Sequence, residues 1–258
     1  MDQTKKIVVI GAGMGGLALG KALLDRNIDV TIYEQAGQLT QVGAGIQLTP
    51  NAVKVLRGLG LEHRLAEFGF FPTAIQGRDW RSGRSVFCTP LAGVCERIYD
   101  APYIHIHRAD LQTILHEALP DRVLQLSSQC IDVADDGRSA VARFADGRVI
   151  EADLIVAADG IRSVARKCLF GDDKPRFTGN ICWRSVIPFD DGPEPDLVSP
   201  DNSIWFGPNG HIVTYYVRGG RGVNVVACLE SEHWQEESWN VRSTKENLAA
   251  AYVGWHSK

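Results

Sequence analysis

The sequence predicts an α/β fold with an inserted β-rich domain, and three observations support this fold class. Residues 7–10 and 154–158 are short, unbroken apolar runs, which are typical of parallel strands buried on both faces. A glycine-rich turn and an apolar helical pattern follow the first run, as in a strand–helix–strand unit. From residue 177 onward, strand and turn patterns dominate, and they predict a separate β-rich part.

Composition limits the class of protein. The chain has 258 residues, of which 45% are hydrophobic and 22% charged, so it can form one large domain or two small ones. A formal net charge of −4 gives no general attraction to nucleic acid or to an anionic membrane. No run approaches the roughly 18 apolar residues of a membrane helix. The six cysteines lack C-x-x-C spacing and predict reduced thiols in a cytoplasmic protein, with neither a disulfide framework nor a zinc site.

The N-terminal unit contains the most informative motif, G-x-G-x-x-G, at Gly11, Gly13 and Gly16. In such a motif the first glycine permits a tight turn, the second lets the backbone approach a pyrophosphate, and the third lets helix and strand pack closely. Glu34 ends the second strand about 20 residues later, where an acid accepts hydrogen bonds from ribose hydroxyls. The unit therefore predicts a Rossmann-like dinucleotide site, with FAD and NAD as open alternatives.

A second glycine cluster occupies residues 43–47, before a helix predicted at residues 50–60. Its two glycines either bring the backbone close to a ligand or form a flexible loop. Residues 72–100 show short strands and turns without helical periodicity, which predicts an excursion into the second domain. Residues 103–107 alternate with period two and predict a strand that returns to the first domain.

The rest of the chain continues this mixture of helices and strands. The predicted elements are a helix at 108–119, an antiparallel meander at 123–151, a buried strand at 154–158, four strands between 180 and 229, and a helix at 243–256. Ligands of open α/β sheets bind beyond the carboxyl ends of the strands. Asp159, directly after the buried strand, is therefore either a functional residue or a turn aspartate.

Four ordered sequence blocks resemble the single-component, FAD-dependent aromatic hydroxylases, which are flavoprotein monooxygenases. The blocks are GAGMGG with Glu34, VGAGIQLTPNAVKVL, HRADL, and ADGIRSVAR at 158–166. Together they cover essentially the whole chain, and the likeness is greatest to the salicylate, 3-hydroxybenzoate and 6-hydroxynicotinate hydroxylases. The resemblance implies a p-hydroxybenzoate hydroxylase-like fold.

The resemblance also implies two domains with different tasks. Residues 1–71 and 101–176 would form a discontinuous FAD-binding domain. Residues 72–100 and 177–258 would form the inserted β-rich substrate domain.

FAD is the cofactor that the resemblance implies. The glycine motif would bind the pyrophosphate, Glu34 the adenosine ribose, and Arg108 the region of the phosphates and ribityl chain. The loop at 43–47 would run along the flavin, and the backbone around Cys130 would meet the adenine. The implied cofactor-binding residues are Gly11, Gly13, Gly15, Gly16, Glu34, Gln35, Gly43, Ala44, Gly45, Ile46, Gln47, Arg108, Cys130 and Asp159.

The implied reaction uses NADH or NADPH to reduce FAD, after which O₂ gives a C4a-hydroperoxyflavin that hydroxylates a small, salicylate-like aromatic acid. Asp159 would serve both FAD and the incoming nicotinamide cofactor. The single G-x-G-x-x-G motif fits a family in which NAD(P)H has no Rossmann domain of its own. The implied partners are thus an aromatic acid, NAD(P)H and O₂, with no nucleic acid and no membrane span, and a homodimer is left open.

The candidate catalytic residues are His211, Tyr215 and Gln47, and Tyr103 is a further candidate for substrate binding. With period two, His211 and Tyr215 share one strand face, about 13 Å apart by four rises of ~3.3 Å. They either bracket one aromatic acid or belong to an ordinary half-buried strand, and the resemblance favours substrate contact. The nicotinate enzymes have histidine where this chain has Gln47, a departure that argues against a hydroxynicotinate substrate.

His105 and His107 lie two apart on one strand and could suggest a metal, but no third ligand occurs at matching spacing. No metal site is therefore predicted. The family pattern continues into a second FAD-binding block, a strand ending in Gly-Asp, that has no match in this sequence. Two other interpretations thus remain open: a catalytically incompetent flavin-binding remnant or interaction module, and a flavin oxidoreductase that does not hydroxylate.

Overall fold

The computed structural model describes residues 5–39, 43–135, 137–172, 176–189, 198, 201–231 and 242–256. The helices are α1 (Met14–Leu24), α2 (Pro50–Gly58), α3 (Glu62–Phe68), α4 (Val94–Tyr99), α5 (Arg108–Glu117), α6 (Val164–Phe170) and α7 (Lys245–Ala251). The strands are β1 (Ile7–Ile10), β2 (Val30–Tyr33), β3 (Gly45–Leu48), β4 (Ala74–Asp79), β5 (Ser85–Pro90), β6 (Ile104–His107), β7 (Leu124–Gln125), β8 (Cys130–Asp135), β9 (Ala140–Phe144), β10 (Val149–Ala152), β11 (Leu154–Ala157), β12 (Asn180–Pro188), β13 (Asn202–Gly207), β14 (Gly210–Val217) and β15 (Gly222–Glu230).

The chain forms two compact units. Unit 1 comprises residues 1–41, 58–61 and 109–176, and unit 2 comprises residues 42–57, 62–108 and 177–258. The division into FAD-binding and substrate domains, which follows from sequence resemblance, stays a prediction. Within the described ranges, no helix combines the length and the apolarity that a membrane crossing requires.

Unit 1 is organised around a parallel sheet with the strand order β11-β1-β2-β7. All four residues of β1 are buried, as the unbroken apolar run predicts. Helix α1 returns the chain to β2, which pairs in parallel with β1, so the predicted strand–helix–strand unit is confirmed. The helix packs closely because Gly20 lies against Ile32, where a Cβ atom would come within 2.6 Å of Cδ1.

Strand β11 pairs in parallel with β1, as predicted, but the prediction that it is buried on both faces is wrong. Its first residue, Leu154, is 51% exposed, and its last is exposed as well. The physical reason is its position, since β11 is the edge strand of the sheet. An apolar run alone cannot distinguish a central strand from an edge strand.

The meander predicted at 123–151 is confirmed in its last three strands. These strands form an antiparallel sheet with the order β10-β9-β8. The first predicted strand instead joins the parallel sheet as β7, through pairing with β2. Tyr33 and Phe144 connect the two sheets in one core, with ring centroids 4.7 Å apart.

Unit 2 contains a six-stranded sheet with the order β12-β15-β14-β13-β4-β5 and a two-stranded sheet of β3 and β6. The four strands predicted between 180 and 229 are confirmed, and β14 and β15 form the predicted hairpin. Strand β6 is confirmed as well, but all four of its residues are buried, because it pairs with β3 and lies beneath β14. Both faces of β6 are therefore buried, although its sequence alternates with period two.

Two helices complete unit 2. Helix α4 lies within residues 72–100, where only strands and turns were expected. Its six residues are too few to show helical periodicity, and it begins after Gly93, whose φ is +71°. Helix α7 (Lys245–Ala251) is shorter than the predicted 243–256. Thr244 caps its N-terminus, where the side chain accepts a hydrogen bond from the backbone N–H of Asn247.

Candidate functional site

The glycine turn after β1 has two kinds of glycine. Gly11 has φ of +102°, and a Cβ atom there would lie 2.5 Å from the carbonyl oxygen of Ala158. A Cβ atom at Gly16 would lie 2.0 Å from the carbonyl oxygen of Gly11. By contrast, no atom lies within 4 Å of a Cβ built at Gly13 or Gly15. The fold itself requires Gly11 and Gly16, whereas Gly13 and Gly15 border open space that a ligand phosphate can occupy.

Glu34 lies beside this turn, at the end of β2. Its carboxylate accepts hydrogen bonds from the backbone N–H groups of Ala12, at 2.8 Å, and Ala36, at 2.9 Å. The side chain is half-buried, and its neighbour Gln35 is exposed. A carboxylate fixed between two N–H groups keeps lone pairs for ribose hydroxyls, so the geometry fits the role predicted for Glu34.

Asp159 has a clear structural role at the end of β11. Its Oδ2 accepts hydrogen bonds from the backbone N–H groups of Val164, at 2.7 Å, and Ala165, at 3.2 Å. Together with Ser163, which accepts from Arg166, it satisfies the first N–H groups of α6. The turn-aspartate interpretation therefore describes this residue, and its part in cofactor binding stays a prediction.

Cys130 is buried in the core of unit 1, at the start of β8. Burial raises the pKa of its thiol. The side chain is thus a packing element, and the predicted contact concerns only its backbone. Near this core, a cavity of about 320 Å³ is lined by residues such as Val133, Leu154 and Leu169, and it contains none of the predicted site residues.

In unit 2, the loop predicted to run along the flavin is held by backbone contacts. The N–H of Arg108 donates to the carbonyl oxygen of Ala44 at 3.0 Å, and Nε2 of His107 lies 3.0 Å from the carbonyl oxygen of Gly43. Residues from Gly45 to Leu48 then pair with β6. This arrangement fixes the course of the loop and leaves Ile46 and Gln47 half-buried.

Gly45 is the point where this loop meets the six-stranded sheet. Its N–H donates to Oδ1 of Asn224 at 2.6 Å. A Cβ atom at this position would lie 2.6 Å from Cε2 of Tyr215 and 2.9 Å from Cγ of Asn224. Glycine is therefore required here by the close approach of the Tyr215 ring.

We expect Gly45→Ala to lower the free energy of unfolding by roughly 1–3 kcal/mol, because the new methyl group must displace the Tyr215 ring or the Asn224 amide. Urea denaturation measures this change. The matched control is Gly58→Ala at the end of α2, where no atom lies within 4 Å of the added Cβ. If both substitutions have the same small effect, Gly45 is not tightly packed against Tyr215.

Three of the four candidate residues in unit 2 come together around a buried histidine. The hydroxyl of Tyr103 donates to Oε1 of Gln47 at 2.5 Å. The ring of His105 lies 4.7 Å from that of Tyr215 and 5.8 Å from that of Tyr103, measured between centroids. Burial raises the pKa of both tyrosines, so each hydroxyl keeps its proton at neutral pH. We call Gln47, Tyr103, His105 and Tyr215 the tyrosine cluster.

The sequence did not indicate that His105 belongs to this cluster or that Asn202 and Asn224 lie beside it. His105 is fully buried, and its Nε2 lies 3.1 Å from Nδ2 of Asn202. Burial lowers the pKa of His105 to about 3, so the ring is neutral. Two asparagines in predicted strands do not by themselves indicate a site. Their place beside Tyr215 follows only from the pairing of the strands.

His105 should make the protein sensitive to acid. Its pKa is about 3 in the folded protein, against 6.5 for an ordinary histidine. Between these two pH values the histidine is therefore protonated in the unfolded chain and neutral in the folded one, which favours unfolding. The free energy of unfolding should then fall by on the order of 1 kcal/mol per pH unit between pH 6.5 and 3.

The variant His105→Phe keeps an aromatic ring and removes the titrating group. Urea denaturation between pH 7 and 4 should show a shallower decline for this variant than for the unsubstituted protein. His63→Phe, at an exposed position of α3, should leave the decline unchanged. Parallel curves for all three proteins would contradict the prediction.

His211 lies apart from the tyrosine cluster. It is half-buried on β14, where it pairs with Phe206 of β13 and Cys228 of β15, whereas Tyr215 pairs with Asn202 and Asn224 at the other end. The two residues share a sheet face, as their spacing predicts. Among the described residues, no three His, Cys, Asp or Glu side chains are grouped so that they could hold a metal ion.

A family model described as an FAD binding domain matches residues 4–206, most of the chain. The chain belongs to this FAD-binding family. FAD is therefore its cofactor, as predicted, and the open space at Gly13 and Gly15 fits that assignment on structural grounds.

Relatives named for their activities are also aromatic monooxygenases. The chain is 39% identical over all its residues to 3-amino-4-hydroxybenzoate 2-monooxygenase of Streptomyces cremeus and spans 64% of that protein. It is 35% identical to 6-hydroxynicotinate 3-monooxygenase of Pseudomonas fluorescens, over 99% of this chain and 67% of that protein. The predicted resemblance to FAD-dependent aromatic hydroxylases is confirmed.

A solved structure supports the fold. A variant of Klebsiella pneumoniae HpxO, complexed with FAD, matches with a TM-score of 0.85 and 25% identity, over 98% of this chain and 64% of that chain. The predicted fold class, an FAD-binding α/β fold with an inserted β-rich part, is thereby confirmed. This chain spans about two thirds of the length of these proteins.

Proposed function

We propose that the protein is an FAD-dependent monooxygenase that hydroxylates a small hydroxylated aromatic acid, with NADH or NADPH and O₂ as co-substrates. The observation that carries this proposal is the tyrosine cluster, which joins the loop predicted to follow the flavin to a strand predicted to contact substrate. The relatives named above, which act on hydroxylated aromatic acids, support it.

The residues of unit 1 would hold the adenosine and pyrophosphate of FAD, through the backbone at Gly13 and Gly15 and through the Glu34 carboxylate. Bound FAD would supply the redox chemistry that activates O₂. In unit 2, backbone groups at residues 43–47 would border the flavin. Tyr103 fixes the amide of Gln47, and that hydrogen bond sets which polar group of the amide faces the ligand.

In this proposal, the substrate ring lies along the sheet face that carries His211 and Tyr215. Tyr215 remains protonated at neutral pH and can donate a hydrogen bond to a substrate oxygen. His211 is accessible and would accept the proton of the ring hydroxyl, which makes the ring more nucleophilic. Tyr215 and its neighbours His105, Asn202 and Asn224 are buried, which would exclude water from that end.

The class of substrate that we favour is a hydroxybenzoate of the salicylate type. Gln47 stands where the nicotinate hydroxylases have histidine, which speaks against a pyridine substrate. The aminohydroxybenzoate and 3-hydroxybenzoate activities are the nearest alternatives within the same chemistry. The ring position, the choice of nicotinamide cofactor, a cytoplasmic location and a homodimer all stay predictions.

The decisive experiment measures NADH and NADPH oxidation by the purified, FAD-loaded protein across a panel of acids: salicylate, 3-hydroxybenzoate, 3-amino-4-hydroxybenzoate and 6-hydroxynicotinate. Mass spectrometry of each product shows whether one oxygen atom has been added. The proposal expects one acid to stimulate oxidation and to gain oxygen. Stimulated oxidation without any hydroxylated product would instead identify a flavin oxidoreductase.

The competing function left open by the sequence is a flavin-binding remnant without catalysis. Such a protein would be yellow and bind FAD, but no aromatic acid would stimulate its NAD(P)H oxidation. Protein that stays colourless after incubation with FAD would contradict both possibilities.

A further inference from the structure

The pairing of the strands in unit 2 shows which side chains share a face of the six-stranded sheet. Val213 of β14 pairs with Val226 of β15, which pairs in turn with Arg184 of β12. Directly paired residues of antiparallel strands project from the same face, and so do residues two apart on one strand. Arg184 therefore projects from the face that carries His211 and Tyr215. We call it the His211 face.

Side-chain contacts agree with this assignment. On the His211 face, the sulfur atoms of Cys182 and Cys228 lie 3.5 Å apart. The rings of Phe87 and Phe206 also meet there, with centroids 6.1 Å apart. These four residues come from four different strands, and their contacts agree with the face assignment near both edges of the sheet.

The opposite face is covered in part by residues 252–256. Trp183 meets Tyr252, with ring centroids 6.3 Å apart, and Trp205 stacks on His256, with centroids 5.4 Å apart. Both tryptophans alternate with residues of the His211 face. Around Trp183 and Trp205 the opposite face is therefore occupied, whereas Ile187 on the same face is 46% exposed.

The middle of the His211 face is apolar and partly accessible. Val213, Val226 and Ile204 are half-buried in one row, and Phe87 at its end is 42% exposed. Arg184 is exposed at the other end of the same row. In the described strands of this sheet, it is the one lysine or arginine on this face. Its guanidinium also lies near Cys182. Desolvation and the contact with Cys228 raise the pKa of that thiol, and the charge on Arg184 opposes this rise.

We propose that Arg184 binds the carboxylate of the aromatic acid, whose ring lies on Val226 and Val213 between His211 and Tyr215. This inference rests on the proposed function, because it names a carboxylate subsite for that substrate. Arginine suits the task, since its planar guanidinium donates two parallel hydrogen bonds to one carboxylate. Arg184 and Val213 are two strand spacings apart, about 10 Å between Cα atoms, which leaves room for one ring beside the extended side chain.

The spacing also gives the substrate an orientation. With its carboxylate at β12, the ring would extend across β15 toward β14, where His211 and Tyr215 lie at the two ends of the apolar row. The ring hydroxyl would then approach one of these two side chains. A phenol without the carboxylate would lose this anchor while it keeps the contacts with Val213 and Val226.

The test measures binding, so that it does not depend on turnover. Isothermal titration calorimetry on the FAD-loaded full chain would compare salicylate with salicylamide and 3-hydroxybenzoate with 3-hydroxybenzamide. Arg184→Ala should weaken binding of the acids roughly 10- to 100-fold and affect binding of the amides much less, because only the acids form an ion pair with the guanidinium. Arg184→Lys should restore part of the affinity for the acids.

Two controls make the outcomes distinct. Arg143→Ala removes an exposed arginine from β9 in unit 1 and should leave both affinities unchanged. Arg184→Gln keeps a polar side chain without the positive charge and should lose the preference for acids, with an unchanged melting temperature. This inference alone would be overturned if Arg184→Ala bound the acids as tightly as the unsubstituted protein does. It would also be overturned if the variant lost the same factor of affinity for the acids and for the amides. Failure of the unsubstituted protein to bind any aromatic acid would overturn the proposed function as well.

Discussion

Gly16→Ala should lower the free energy of unfolding by roughly 3 kcal/mol or more, or prevent folding of unit 1. The added Cβ would lie 2.0 Å from the carbonyl oxygen of Gly11, a backbone atom that cannot move aside without distorting the turn. The effect should exceed an ordinary overpacking penalty because the clash is with backbone rather than with a flexible side chain. Urea denaturation followed by circular dichroism measures it.

Gly13→Ala provides the matched control for Gly16→Ala. Its Cβ meets no atom within 4 Å, so the protein should fold with nearly unchanged stability. The methyl group would, however, occupy the space through which the pyrophosphate approaches the backbone. Fluorescence titration with FAD should therefore show weaker binding by this variant. Unchanged FAD affinity together with unchanged stability would contradict the assignment of Gly13 to the pyrophosphate.

His211→Ala should reduce the rate of substrate hydroxylation roughly 100-fold or more, because the ring hydroxyl loses its proton acceptor. Tyr215→Phe removes one hydrogen bond and should reduce the rate about tenfold. Neither residue is predicted to contact FAD, so the FAD content of the purified proteins should not change. Product formation per unit time, with the flavin absorbance as a measure of FAD content, tests both expectations.

Matched controls for these variants lie outside the sheet. Tyr99→Phe alters a tyrosine of α4 that is 54% exposed, and His63→Ala alters an exposed histidine of α3. Neither should change the rate. Loss of FAD from the His211 or Tyr215 variants would show that these residues support the cofactor instead of the substrate.

The sequence predicted the features that depend on local patterns. The β1–α1–β2 unit follows from an apolar run, a glycine motif and an acid at a known spacing, all within 30 residues. The β14–β15 hairpin follows from alternation and a glycine-rich turn. Helix α4 escaped prediction because its six residues cannot show a period, and the exposure of Leu154 escaped because an edge strand has no local signature.

The candidate site was predicted only in part, because its contacts join distant positions. Asn224 and Gly45 are 179 residues apart, and Asn202 and His105 are 97 residues apart. No motif contains either pair, so the polar surroundings of Tyr215 emerge only from the strand order. Likewise, the place of Arg184 on the His211 face depends on the register of three strands.

The contact of Gly45 with Tyr215 and Asn224 has a consequence for the evolution of this protein. A larger side chain at position 215 would clash with the backbone of residues 43–47. A shorter side chain at position 224 would remove the hydrogen-bond acceptor of the Gly45 N–H. If Tyr215 contacts substrate as proposed, changes that alter substrate preference would thus also move the loop predicted to lie along the flavin. Mutations at these three positions should be strongly epistatic, so new substrate ranges would arise through compensating pairs rather than through single replacements.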